Sequence, residues 1–227
     1  MERSVNLTTS RLRNGALAAV LLVDALGLAA VAIRPWDRPD AFGAATADWL
    51  LLTHETNPST WLTAALLLAV GGLALVALAT ASHAAERRFW LLTALVTCAL
   101  SLDEVAAGHE RMADVLRVDG TVGTYAWVLP GLVLASIVSA AFARGVVVLP
   151  PRTRRDLAVA GVVYLAGALG VEAIAGWWDS GHGNENMPYH LISFVEENLE
   201  FAGVVLAGTA ILGHAAARRR SLTIRFG

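Results

Sequence analysis

The sequence predicts an all-α integral membrane protein: a six-transmembrane-helix bundle with its N- and C-termini both in the cytoplasm. Three observations carry this expectation. Hydrophobic residues make up 56% of the 227, charged residues only 16%, and mean hydropathy is +0.57; a soluble domain is about 45–50% apolar. Six apolar runs approach the about 20 residues that a helix needs to cross a bilayer core. The arginines gather on alternate sides of those runs.

Taken in order, the spans are expected at 15–33, 61–82, 88–108, 125–149, 156–178 and 189–213, all within one transmembrane domain over 1–227. The first run, preceded by Arg11 and Arg13 and ending Ala-Val-Ala, has the look of a signal peptide, but Asp24 in its middle argues for a retained span. A long loop, 34–60, follows, in which Ala41 to Leu52 could form a short interfacial helix. Pro58 with Ser59 and Thr60 starts the second span. Gly71-Gly72 within it would let two helices approach closely. Trp61, Trp127, Trp177 and Trp178 fall at one set of helix ends and Trp90 near the other, the placement of interfacial aromatic belts.

All 17 basic residues are arginine. With the N-terminus inside, 13 of the 17 lie on the cytoplasmic side; only Arg34, Arg38, Arg111 and Arg117 lie outside. The net charge of −2 gives no reason to expect a nucleic-acid partner. Cys98 is the only cysteine, so no intramolecular disulfide can form.

The acids are polarised. Glu2, Glu86 and Asp156 are cytoplasmic, Asp24 is mid-span, and the other fifteen of 19 lie in outer loops or outer halves of spans. Asp37, Asp40, Asp48, Asp114, Asp119, Asp179 and Glu185 read as solvated loop acids, and His182 and His54 as loop histidines, although His54 could cap a site from outside. Acids inside spans need another explanation, because such groups are rare, face the bundle interior and mark function. Asp24 could serve a proton path or bond a neighbouring helix.

Three spans carry such acids. The third ends SLDEVAAGHERM, where Asp103 and Glu110 lie about 20° apart on one helical face, flanked by Glu104 and His109. The fifth carries Glu172 in GALGVEAIAGWW. The sixth carries YHLISFVEENLEFAG, in which His190, Glu196, Glu197 and Glu200 share an arc of about 120°, with Ser193 inside it. Carboxylates converging there would repel and would be costly in a low dielectric. Protons, arginine or a metal cation could neutralise them, and the one nearby arginine, Arg111, cannot balance so many.

Carboxylate with imidazole is a ligand set for Fe, Mn or Zn. Asp103, His109, Glu110, Glu172, His190, Glu197 and Glu200 are the candidate ligands, with Glu196 or Glu104 as general base. The pattern lacks the Glu-x-x-His of di-metal carboxylate bundles. Ser101 and Ser193 have no triad-like spacing.

SLDEVAAGHERM, YAWVLPG, GALGVEAIAG and EENLEFAG together resemble an uncharacterised family of bacterial multi-span membrane proteins, sometimes labelled multidrug transporters. The resemblance covers residues 88–213. It matches at Asp103, Glu104, His109, Glu110, Glu172, Glu196, Glu197 and Glu200, and departs at Phe201, where the family often has Met. It implies a bacterial inner-membrane protein and no particular reaction.

The leading expectation is a metal-dependent membrane enzyme with an outward-facing site, acting on a lipid or other apolar substrate. The rival is a cation- or proton-coupled transporter built on the same acids. The apolar inner halves of the spans speak for the enzyme, as does the lack of a broken-helix pair. An accessory subunit of a larger membrane complex, or a homo-oligomer, stays open.

Overall fold

A computed structural model describes residues 5–6, 9–34, 36, 43–52, 57–108, 128–218 and 223–224. Its helices are α1 (Thr9–Ile33), α2 (Ala44–Leu50), α3 (Pro58–Thr80), α4 (Ala84–Ala106), α5 (Val128–Gly145, extended by one 3-10 turn, Val146–Val148), α6 (Pro151–Leu165), a π-helical turn (Ala166–Val171), α7 (Glu172–His182) and α8 (Met187–Ala217). The π turn joins α6 to α7, so these three form one span. Six helices are thus long and apolar enough to cross a membrane. Val5–Asn6 (β1) and Thr223–Ile224 (β2) pair antiparallel, bringing both chain ends to one end of the bundle. This is the terminal end; the opposite end, with α2, is the loop end.

Local chemistry sets the helix starts. Asn57 accepts a hydrogen bond from the Thr60 N–H at 2.8 Å, and Pro58 fills the first turn of α3. Asn186 does the same for α8, accepting from the Tyr189 N–H at 3.1 Å, with Pro188 in the first turn. At the loop end α4 stops at Ala107, which is left-handed at φ 48°. The short helix expected between 41 and 52 is α2, and its Trp49 is exposed.

α8 is the central helix. It packs against α1, α3, α6, α7 and the π turn, while α3 and α4 form a close hairpin. Ser59 meets Glu197 and Val70 meets Gly208, two pairs with the same sequence separation of 138 residues, so α3 and α8 run parallel. α6 runs antiparallel to α8, with Tyr164 at Gly203 and Thr153 at His214. The core between these helices holds Leu67, Val70, Phe89, Val204 and Ile211, with Val20, Leu62 and Phe201 toward α1. α5 stands apart, and none of its residues is buried.

Lipid tails are as apolar as leucine, so membrane helices associate through close packing and polar bonds. Here small residues provide the approach. A Cβ on Gly203 would stand 2.6–2.8 Å from Tyr164 atoms, two of them backbone. Gly71 faces Thr97 and Cys98 of α4, as close packing requires, but its neighbour Gly72 faces open space. Only half of that glycine pair therefore does what the sequence suggested.

The terminal end holds a buried polar group that the sequence does not announce. Glu86 is 2% exposed and accepts from Arg218 at 2.7 and 3.0 Å and from Trp90 Nε1 at 3.2 Å; His214 Nε2 lies 3.3 Å away. His214 also meets the Thr153 hydroxyl at 3.4 Å. Trp90 is thus a buried partner of Glu86 and not an interfacial residue, because its indole N–H completes this network. The halves of the spans at this end are likewise not uniformly apolar.

Gly203→Ala is expected to lower the thermal unfolding midpoint of the detergent-solubilised protein, by about 1–3 kcal/mol of overpacking. Gly72→Ala should leave it unchanged.

Candidate functional site

The site is assembled on α8 one helical turn at a time. Glu196, Glu197 and Glu200 are each half-buried. Glu197 accepts a hydrogen bond from the Ser59 hydroxyl of α3 at 2.8 Å. Glu172, Glu200 and Glu197 are all close enough to Glu196 to act on its carboxyl.

Glu172 reaches Glu196 because of the turn that precedes it. The Glu172 N–H bonds back to Gly167 O, five residues earlier, which is the π-helical pattern. Such wide turns are rare and occur often at functional sites. The segment Ala-Gly-Ala-Leu-Gly-Val has little side-chain bulk, and it lies against α8 just where the acids stand. A Cβ on Gly167 would come 2.8 Å from the Glu196 carbonyl and 3.2 Å from Glu200 Cγ. The span expected at 156–178 thus runs from Pro151 to His182 with this π turn inside it.

Tyr164, on α6, lies within electrostatic reach of Glu200, Glu104, Glu197 and Asp103. This one phenol links the acids of α8 with those at the end of α4. Asp103 and Glu104 are half-buried there, and Gly108 lets the chain pass Asp103, whose Oδ1 would stand 2.6 Å from a Cβ on that glycine.

The other candidates separate. His190 is 3% exposed and packs its ring on Trp36 at 4.8 Å and Tyr189 at 5.6 Å. Along the axis it stands about 9 Å from Glu196. His109 and Glu110, like His54 and Trp127, lie outside the described residues. Among the described residues no group of three or more His, Cys, Asp or Glu is arranged to hold a metal ion. Ser101 donates to Ala64 O at 2.8 Å, and Ser193 is buried. His182 is exposed and stacks on Trp178 at 4.2 Å.

Asp24, 8% exposed, accepts from Asn198 Nδ2 at 3.2 Å, so it bonds a neighbouring helix. Of the acids expected in solvent, Glu185 is there, but Asp48 is half-buried and Asp179 buried. Asp179 is 5% exposed. Asp48 and Glu185 both pair with Arg34, which is itself 7% exposed and stands 4.5 Å over the Trp36 ring. Burial opposes the Arg34 charge, but the two carboxylates outweigh it and hold the guanidinium pKa above its ordinary value. Arg34 thereby ties α1, α2 and the 185 loop together above His190.

Sequence reasoning missed Ser59, Tyr164 and the π turn. Ser59 was visible only as part of a helix start. Tyr164 stands eight positions before Glu172, and nothing local ties it to acids on α4 and α8.

Glu172→Gln and Glu196→Gln are expected to be non-additive in unfolding free energy, with a coupling of about 0.5–3 kcal/mol in a double-mutant cycle. In a Gly167→Ala background, which pushes the two helices apart at this point, that coupling should fall toward zero.

No curated protein matches the chain, and no solved structure does. A family model does match, over residues 15–214, which takes in all the candidate residues above and agrees with the resemblance to an uncharacterised family. The chain belongs to the family described as Domain of unknown function (DUF8692).

Proposed function

We propose that this multi-pass membrane protein binds and releases protons on the carboxyls of Glu172, Glu196, Glu197 and Glu200, with Asp103, Glu104 and Tyr164 beside them, as the coupling site of a proton-coupled transporter. The observation that carries this reading is the convergence of Glu172, Glu197 and Glu200 on Glu196, where the π turn packs against the Glu196 backbone and Glu200. Isolated charge is expensive within a bilayer, and intramembrane acids that share protons mark proton relays. The Ser59 hydroxyl supports the same reading, since it donates to Glu197 as to a charged or protonated carboxyl alike.

One ground for preferring an enzyme loses its force, because the inner ends of the spans carry the Glu86–His214–Arg218 group. The arginine distribution puts the termini in the cytoplasm and the carboxyls toward the outside, in a bacterial inner membrane as the family resemblance implies. Lipid is the surrounding medium in this reading and not the substrate.

Infrared difference spectra between acid and alkaline pH test this. A protonated-carboxyl band should appear and vanish with pH in at least two apparent steps, as coupled sites do. Glu172→Gln and Glu196→Gln should each remove part of it. Elemental analysis provides the opposing outcome. Stoichiometric Fe, Mn or Zn that is lost from both variants would replace the proton reading with a metal-dependent enzyme, in which His109 and Glu110 complete the ligand set.

A further inference from the structure

One face of α4 carries polar groups from end to end. Glu86, Trp90, Thr93, Thr97, Ser101 and Glu104 recur every three or four residues. At the α-helical period they fall within an arc of about 80° and cover about 27 Å of axis. A bilayer core is about 30 Å thick. The opposite faces are exposed leucine and valine: Leu91, Leu95, Leu102 and Val105.

The stripe points inward. Glu86, Trp90 and Thr93 are buried, and Thr97, Ser101 and Glu104 are half-buried. It meets α8 at the terminal end, where Trp90 and His214 have ring centroids 5.2 Å apart. It meets α3 further along, where Ser101 donates to Ala64 O and Thr97 Oγ1 lies 3.0 Å from the Cβ position of Gly71.

Each end of the stripe is an ionisable group in a network. Glu86 is held by Arg218 and His214 of α8. Glu104 acts on Tyr164, together with Glu200, Glu197 and Asp103. Between them, Thr93 and Thr97 donate to carbonyls of their own helix, Phe89 O at 2.9 Å and Thr93 O at 2.9 Å. That is ordinary for threonine in membrane helices, and it leaves the hydroxyl oxygens free to accept. It does not account for two acid-capped ends.

We infer that the α4 stripe is a transmembrane proton route joining the carboxyl network at one end to the Glu86–His214–Arg218 group at the other. This rests on the proton-binding reading of the site and adds its path. A proton leaves a carboxyl near Tyr164, passes to Glu104, and moves along Ser101, Thr97 and Thr93 to Glu86 or His214, which release it at the terminal end. One proton enters for each that leaves, and no bond other than O–H or N–H changes. Successive hydroxyls stand about 6 Å apart along the axis, farther than a direct hydrogen bond reaches, so in this route a water relays the proton between them.

The test uses the full-length protein in liposomes loaded with a pH-sensitive dye, with a potassium diffusion potential driving protons inward. The triple variant Thr93→Val, Thr97→Val, Ser101→Ala keeps side-chain volume and removes the hydroxyls. Proton influx should fall about a hundredfold, the low side of what positioned proton-transfer groups contribute. Thr209→Val on α8 removes a back-bonded hydroxyl away from the stripe and should leave influx at the parent rate. The pH-dependent carboxyl band should persist in the triple variant. Parent-like influx in the triple variant, or no influx in the parent despite a titrating carboxyl band, would overturn the route while leaving the proton site standing. A parent without that band would overturn the site itself. If the triple variant does not fold, Thr97→Val alone carries the same expectation.

Discussion

A carboxyl group on a bilayer-spanning helix has no solvent to turn to, and its charge or its proton must be matched by another helix. That requirement organises the whole bundle. The backbone already satisfies itself by being helical, so the side chains decide which helices meet and in what register. Span acids find their hydrogen-bond and ion-pair partners across helix boundaries: Asp24 at Asn198, Glu197 at Ser59, and Glu86 at His214 and Arg218. In every case one member of the pair is on α8. The helix is central because it carries the complement to each of the others' polar groups.

Polar pairing needs close approach, and here bulk is withheld where the pairs form. Gly203 lets α6 lie on α8 beside Phe201 and Val204, and Gly167 lets the π turn lie on the backbone of Glu196. The two contacts differ in kind. The first is helix against helix and is purely a matter of packing. The second uses a widened turn, which alters the direction of everything after it. One extra residue in a turn rotates the following segment by about 100° relative to a continuous α-helix. The orientation of Glu172 toward Glu196 thus depends on a backbone irregularity built from alanine, glycine and valine, none of which has chemistry of its own.

The fold was legible in the sequence because its signals are local. Apolar run length gave the number of long apolar helices among the described residues, six, Pro58 marked the start of the second, and Asp24 was open to the helix-bonding reading the structure shows. The acids Glu196, Glu197 and Glu200 were legible as one face of one helix. What was not legible required two helices at once. That Asp48 and Glu185 share Arg34, that Glu86 is buried against Trp90, and that Tyr164 lies between the acids of α4 and α8 are facts of tertiary register. Composition suggested solvated loops and an interfacial tryptophan because loop acids and helix-end tryptophans are usually that. The π turn was hidden for a different reason, since its residues are as compatible with an ordinary helix.

The placement of polarity along α8 bears on what the molecule can do. Its acids and Asn198 occupy one stretch and His214 with Arg218 another, separated by Phe201, Val204 and Ile211, all buried against α3 and its neighbours. Over that interval α8 offers no polar atom to the core apart from its backbone and Thr209, whose hydroxyl is bonded to Val205 O. Had the bundle been selected only for helix association, the same interval on α4 would be expected to be apolar too, because buried hydroxyls add little to helix pairing in a membrane, about 0.6 kcal/mol on average. Instead α4 carries hydroxyls at Thr93, Thr97 and Ser101 across that gap, with Thr97 against the small surface of Gly71 and Ser101 on Ala64 O. Polarity is thus continuous along α4 where it is interrupted along α8, and the two ends of that continuity coincide with two ionisable groups of the bundle. A structural role would account for either group alone; the continuity between them is what a path requires.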